Sequence, residues 1–355
     1  MRAEYSKSLR IAILIAGLLT HVATAQIQLQ PWPREVDDAS APKPGDVLQR
    51  WKLLIGEYGL ERETLYILER AGSLWALLGR GEQARLEELS SDIFAFSGHN
   101  NGTNRRLTFE RDSRGAVRAV IVGTSRYERR QVGPAEGSTQ LRVSPLRPVN
   151  ELLKEALTAE PPREVGEFRS PDLVELVKLD PTIKLDVRYA TTNNFLGSIF
   201  YSQPRAFLQR PAAEALVRVH RKLKEYGYGL LLHDGYRPWY VTKAFWDATP
   251  QDTRWLVADP SAGSRHNRGA AIDLTLYDLT TGRPIEMPST YDESTSRAYA
   301  FYPGGTDLQR WHRALLRRMM ESEGFTVNPQ EWWHFDYKDW RSYAIGNIPF
   351  DQIGK

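Results

Sequence analysis

Cysteine is absent from the 355 residues of this chain. Its absence excludes a disulfide framework and any thiolate metal site, so a metal here must be held by imidazole and carboxylate. Long apolar runs are scarce as well. The run Ile11 to Leu19 is too short to span a bilayer comfortably, and no later stretch approaches the roughly 20 apolar residues of a membrane helix. A surplus of either charge is also missing: 47 basic residues against 44 acidic ones leave +3, which gives no electrostatic case for nucleic acid or an anionic membrane as partner.

What is present begins with a leader. Arg2, Lys7 and Arg10 precede the apolar run, and Ala23-Thr24-Ala25 offers the small residues at which a signal peptidase cuts, so residues 1–25 read as an export signal. Removing them takes away three basic residues and one acid, and 44 basic against 43 acidic leaves +1. The expectation is a soluble exported protein, periplasmic or extracellular. Residues 26–46 are rich in Pro, Asp and Ala (PWPREVDDASAPKPG) and read as an extended lead-in. The chain exceeds the usual size of one core, so two domains are expected.

From Trp51 to Arg130 the pattern is β. Thr64 to Leu68 and Ser73 to Leu78 flank Ala71-Gly72 as one hairpin, and Leu107 to Glu110 and Val117 to Val122 flank Ser113 to Gly115 as another. A small all-β domain over residues 47–135 follows. The strings LIGEYG, LYILERAGSLWAL and LTFERDSRG loosely resemble the small β domain appended to some exported serine-β-lactamase-like hydrolases. They carry no chemistry and point to an accessory module. Its one histidine, His99 in SGHNNGTN, reads as a solvated loop residue.

Residues 136–170 read as a linker with a short helix at Glu151 to Thr158. Over 171–355 helix and strand signals alternate. Ile183 to Tyr189, Gly229 to His233 and Ala271 to Leu276 are strand-like. Pro211 to Tyr226, with Leu216, Val219 and Leu223 on one face, is helical, as is Trp239 to Ala248. A further helix is capped by Thr306 and ended by Gly324. The fold class expected is α+β: a C-terminal domain with a central antiparallel sheet flanked by helices, joined to the β module.

The chemistry lies in a split set of residues, His266 and Asp273 in SRHNRGAAID, and Glu331 and His334 in EWWHF. A catalytic zinc takes about three protein ligands and leaves one position open for water. His266, Asp273 and His334 supply three. Asp273 lies in an apolar strand whose even positions, Ile272, Leu274 and Leu276, point away from it, and ligation explains a carboxylate there; pairing with Arg268 or capping a turn are the alternatives. Glu331 and His334 are three apart, which on a helix is one face. Trp332, Trp333 and Phe335 favour strand instead, so a bulge or a strand end is required if both reach one metal. Arg237, in the HDGYRP turn, is either a surface arginine or a fixed guanidinium for an oxyanion. His233 is a candidate supporting residue, and His220 and His312 are expected on the wet faces of their helices.

In order, LLLHDGYRP, SRHNRGAAIDLTLYDL, MPSTYDE and EWWHF resemble the zinc D-alanyl-D-alanine dipeptidases, within a larger group that includes zinc D,D-carboxypeptidases and the Hedgehog signalling domain. The resemblance spans roughly Leu179 to Trp340. It implies one zinc per chain on His266, Asp273 and His334, a base at Glu331 and a transition-state arginine at Arg237. It also implies substrate contacts at Ser264 and at Asp292, the latter meeting the dipeptide's ammonium. The segment around Phe200 and Tyr201 departs from the family pattern and leaves the pocket tyrosines unassigned.

The expected reaction is hydrolysis of D-alanyl-D-alanine by metal-activated water, with Glu331 moving the proton. The alternatives are a D,D- or L,D-carboxypeptidase acting on peptidoglycan stem peptides, and a zinc-containing binding module without turnover. A small dipeptide is the expected partner, with cell-wall association through the β module.

Overall fold

A computed structural model describes residues 42–78, 82–97, 104–131 and 142–354. The expected leader at 1–25, residues 26–41 of the expected lead-in and His99 lie outside the described residues. The β module opens with a short helical turn, α1 (Gln49–Lys52), where the sequence pattern pointed to strand. Nine strands follow: β1 (Gly56–Tyr58), β2 (Leu65–Arg70), β3 (Ser73–Leu78), β4 (Glu82–Arg85), β5 (Glu87–Ser90), β6 (Ile93–Ser97), β7 (Asn104–Arg111), β8 (Val117–Val122) and β9 (Ser125–Glu128). They form two antiparallel sheets, β1 to β4 and β5 to β9.

Both expected hairpins are present. Ala71 (φ 47°) and Gly72 (φ 69°) turn left-handed between β2 and β3, the conformation a two-residue hairpin of matching twist demands. Alternating apolar residues from both sheets, among them Tyr58, Ile67, Leu74, Phe94, Leu107 and Phe109, share one core. The Leu86 amide donates to the Leu74 carbonyl and Tyr58 bridges to Arg129, joining the two sheets.

The second part carries α2 (Val149–Leu157), β10 (Leu173–Glu175), α3 (Leu176–Leu179), β11 (Lys184–Leu185), β12 (Phe207–Gln209), α4 (Arg210–Lys224), β13 (Tyr228–Asp234), α5 (Trp239–Ala248), β14 (Ala271–Asp278), α6 (Asp307–Glu321), β15 (Phe325–Asn328) and β16 (Glu331–Tyr337). A five-stranded sheet in the order β11-β13-β14-β16-β15 is its centre. The sheet is antiparallel apart from a parallel pairing of β11 with β13 at one edge. The strand expected over Ile183 to Tyr189 is cut to two residues, because Arg188–Ala190 winds into a 3-10 turn.

One face of the sheet, with Leu230, Leu232, Ile272, Leu274, Leu276 and Phe335, packs on α4 and α6. Leu216, Val219 and Leu223 of α4 are fully buried there, the stripe its 3.6-residue period presents. A second core joins α2 and α5 to Tyr189, Phe200, Tyr201, Phe207 and Tyr236. Thr306 caps α6 in a complete capping box with Gln309.

His220 and His312 are not on wet faces, as expected from the sequence, but buried. His220 Nδ1 accepts the Leu230 amide (3.0 Å), and His312 Nε2 meets the Tyr228 hydroxyl (2.8 Å), so each satisfies a polar group on β13 that water cannot reach. Among the described residues no helix is long and apolar enough to cross a membrane.

Candidate active site

The sheet register assembles the site. In an antiparallel ladder, directly opposed residues share a face, and on the central strand Asp273 pairs with His334 of β16 on one side and with Asp234 of β13 on the other. Both neighbours bulge to reach it. On β13 the pairing steps from Leu232–Leu274 to Asp234–Asp273, leaving His233 extra. On β15 and β16 it steps from Val327–Phe335 to Asn328–Glu331, so Trp332 to His334 lie outside the β15–β16 pairing, while His334 keeps its pairing with Asp273 on β14. That is the bulge required for Glu331 and His334 to face one point, and Glu331 Oε2 stands 3.7 Å from His334 Nδ1.

His266 enters from a 3-10 turn, His266–Arg268, just before β14. Ser264 builds that turn, its hydroxyl accepting the His266 amide at 3.0 Å. Asn267, fully buried, ties the turn to the Arg237 carbonyl and the Thr242 hydroxyl, both at 2.8 Å. Gly269 follows in the left-handed region (φ 66°), where a Cβ would also strike Leu173.

His266 Nε2, Asp273 Oδ1 and His334 Nδ1 form a triangle with edges of 2.9, 3.1 and 3.5 Å. They are one buried group able to hold a metal ion. Ligands at about 2.0 to 2.1 Å from a tetrahedral zinc lie about 3.3 to 3.4 Å apart, so the spacing and the N,N,O donor set fit that ion. The Gly235 carbonyl, 2.8 Å from His266 Nδ1, takes that proton and leaves Nε2 as the free lone pair. Asp336 does the same for His334, 3.0 Å from Nε2, and is itself held by Arg265 at 2.7 Å. Burial disfavours charge on Asp273, but His266 and His334 outweigh it and hold the carboxyl well below the ordinary range. Burial likewise opposes charge on His334, yet Asp273 and Asp336 raise its pKa well above the ordinary value. Arg268 does not pair with Asp273; it reaches Glu164 and the Tyr343 carbonyl.

Arg237 is buried, not a surface turn residue. Its guanidinium donates twice to Asp234 Oδ2 (2.9 and 2.7 Å) and lies over Tyr189 and Phe245. Asp234 Oδ1 accepts the Tyr201 hydroxyl at 2.7 Å, so both ends of the acid are fixed. Tyr291 donates to Asp273 Oδ2 (3.1 Å) and stacks on His233, which places His233 behind the site. Asp292, at φ 58°, accepts the Tyr189 hydroxyl at 3.0 Å. Burial first, then the charge of Asp273, push the Asp292 carboxyl up to about 8.

The sequence pattern of the family described as D-ala-D-ala dipeptidase matches residues 169–345. A D-alanyl-D-alanine dipeptidase of Escherichia coli is 34% identical over 174 residues, 49% of this chain and 89% of that protein. The chain belongs to the D-alanyl-D-alanine dipeptidase family. Dipeptidases of Enterococcus faecalis (35% over 178 residues, 44% of this chain and 87% of that protein) and Streptomyces coelicolor (33% over 192 residues, 49% and 93%) are similar to the same part. The β module lies before the dipeptidase match, and the whole metal triangle lies inside it.

The residues that reading the sequence missed support the others. Asp336 had a signal, since it lies two positions from His334 on a strand and shares its face. Asp234 sits beside Arg237 in HDGYRP. Tyr189 and Tyr201 had none, because their hydroxyls reach the site from irregular segments far away in sequence.

Proposed function

We propose that this dipeptidase-family enzyme is a zinc peptidase that hydrolyses free D-alanyl-D-alanine. The observation that carries the reading is the Glu331 carboxylate beside the metal triangle, 3.7 Å from His334 Nδ1 and outside the triangle itself. Bound zinc would supply a water of pKa near ~7 and polarise the scissile carbonyl.

The chain's own groups do the rest. Glu331, held by Asn328 (2.8 Å), accepts the attacking water's proton and passes it to the leaving amine. Arg237, locked on Asp234, presents its guanidinium to the oxyanion that develops on the carbonyl oxygen. A carboxyl lifted to about 8 by burial regains its charge when a cation is set against it, and the dipeptide's ammonium is that cation for Asp292. Ser264 acts through the turn that presents His266. A binding module without turnover would need neither Glu331 nor Arg237. The leader-like residues 1–25 support export, and the β module is the part available for contact with the cell wall.

The test is purified mature protein assayed for bound metal and for cleavage of L,L, L,D and D,D dipeptides and their N-acetyl forms. One zinc per chain and preference for free D-Ala-D-Ala are expected. Preference for the N-blocked peptides would instead assign a carboxypeptidase.

A further inference from the structure

Glu57 on β1 is fully buried, although it belongs to the β module and lies outside the dipeptidase match. Arg130 of the same module stands 3.1 Å from its carboxylate. Its other neighbours come from the catalytic part: Tyr302, Arg297 and Glu293 lie close enough to act on its charge. An apolar seam seals this contact, with Tyr66, Leu68 and Leu77 of β2 and β3 packed on Tyr302 and Tyr299. The Tyr66 and Tyr302 rings meet edge to face at 6.0 Å.

From there the contacts run to the loop at 288–293. Arg297 donates to the Pro288 carbonyl from Nε and Nη2 (3.0 and 2.8 Å) and pairs with Glu293 at 3.6 Å. Glu293 is buried and accepts the Thr290 amide and the Thr295 hydroxyl. Tyr291 and Asp292 lie between those anchors. A non-glycine residue at φ 58° persists only where its surroundings over-determine it, and this network surrounds it.

We propose that the β module is a positioning element for substrate: Glu57, set by Arg130, fixes Tyr302 and Arg297, and through them the 288–293 loop that presents Asp292 to the dipeptide's ammonium. The proposal rests on the reading of Asp292 given above. Glu57 is a positioning residue, since it touches no reacting atom. Its burial, which pushes its carboxyl pKa up, means that its charge depends on these partners.

The experiment compares full-length, zinc-loaded wild type with Glu57→Gln and the milder Tyr302→Phe, on D-Ala-D-Ala and on N-acetyl-D-Ala-D-Ala. KM for the free dipeptide should rise about ten-fold in Glu57→Gln and about three-fold in Tyr302→Phe, with kcat within about two-fold and metal content unchanged. Preference for the free over the blocked peptide should fall by the same factors. Glu69→Gln is the control, because Glu69 joins the module to α6 through the Asp307 amide (2.8 Å), away from the loop. It should lower Tm and leave KM alone. Unchanged KM and preference in folded Tyr302→Phe and Glu57→Gln overturn the proposal, as does an equal KM shift in Glu69→Gln. A wild-type enzyme indifferent to the N-acetyl group overturns the reading of Asp292, and the proposal with it.

Discussion

Asp336 Oδ1 sits 3.0 Å from His334 Nε2, on the same strand and the same face as the imidazole it orients. Because the acid takes the Nε2 proton, Nδ1 is left to face His266 and Asp273. Removing such a partner typically weakens metal binding by about 10- to 100-fold. Asp336→Ala is therefore expected to lose zinc to a chelator at about ten-fold lower concentration or less, and Asp336→Asn, which keeps an acceptor, to lie between it and wild type. Chelator competition with metal analysis checks this, and wild-type retention in Asp336→Ala would contradict it.

Glu331 stands beside the triangle without being part of it, so metal binding and turnover should separate there. Glu331→Gln is expected to keep one zinc per chain while kcat falls about 100- to 10,000-fold, the usual range for a lost proton-transfer group. Steady-state kinetics with parallel metal analysis decides it.

Arg237 lies on two aromatic rings and holds Asp234 with two nitrogens, a geometry a lysine ammonium cannot reproduce. Arg237→Lys should lower kcat about 100- to 1,000-fold with a smaller change in KM, as expected for a group whose contact strengthens in the transition state. Loss confined to KM would make Arg237 a ground-state contact instead.

The two misplaced histidines give stability a pH dependence. Burial lowers His220 and His312 to about 4, while the unfolded chain titrates near ~6.5. Between those values the unfolded state binds more protons, so this contribution is complete above about pH 6.5, falls as pH drops, and levels off below about 4. Urea midpoints of metal-free protein should fall across that window, and His220→Gln with His312→Gln should make the fall shallower. A wild-type midpoint flat from pH 7 to 4 would contradict this.

Much of the site was legible because its residues sit in short strings whose chemistry is local. A histidine and an acid flank the start of an apolar strand, and an acid and a histidine share EWWHF. The helices and hairpins were legible from period and turn chemistry, down to the Thr306 cap and the Ala71-Gly72 turn. What stayed hidden depends on contacts across the fold. His220 is polar on a polar-looking helix position, and its burial is explained by partners across the fold, the Leu230 amide of β13 and the Thr182 hydroxyl. Tyr189 and Tyr201 reach Asp292 and Asp234 through irregular segments where no period exists to read. Glu57 resembles any charged residue of a small β domain until the opposing loop is in place.

The bulge at Trp332 to His334 makes the spacing of EWWHF a matter of phase. Each residue added to or removed from a strand turns everything beyond it to the other side of the sheet. One alanine inserted between Glu331 and His334 would leave charge, ligand types and core composition intact, yet it would point the base and the imidazole at different surroundings. The motif thus works as a count, and its tolerance to length change should be far lower than its tolerance to substitution of the aromatic residues it contains.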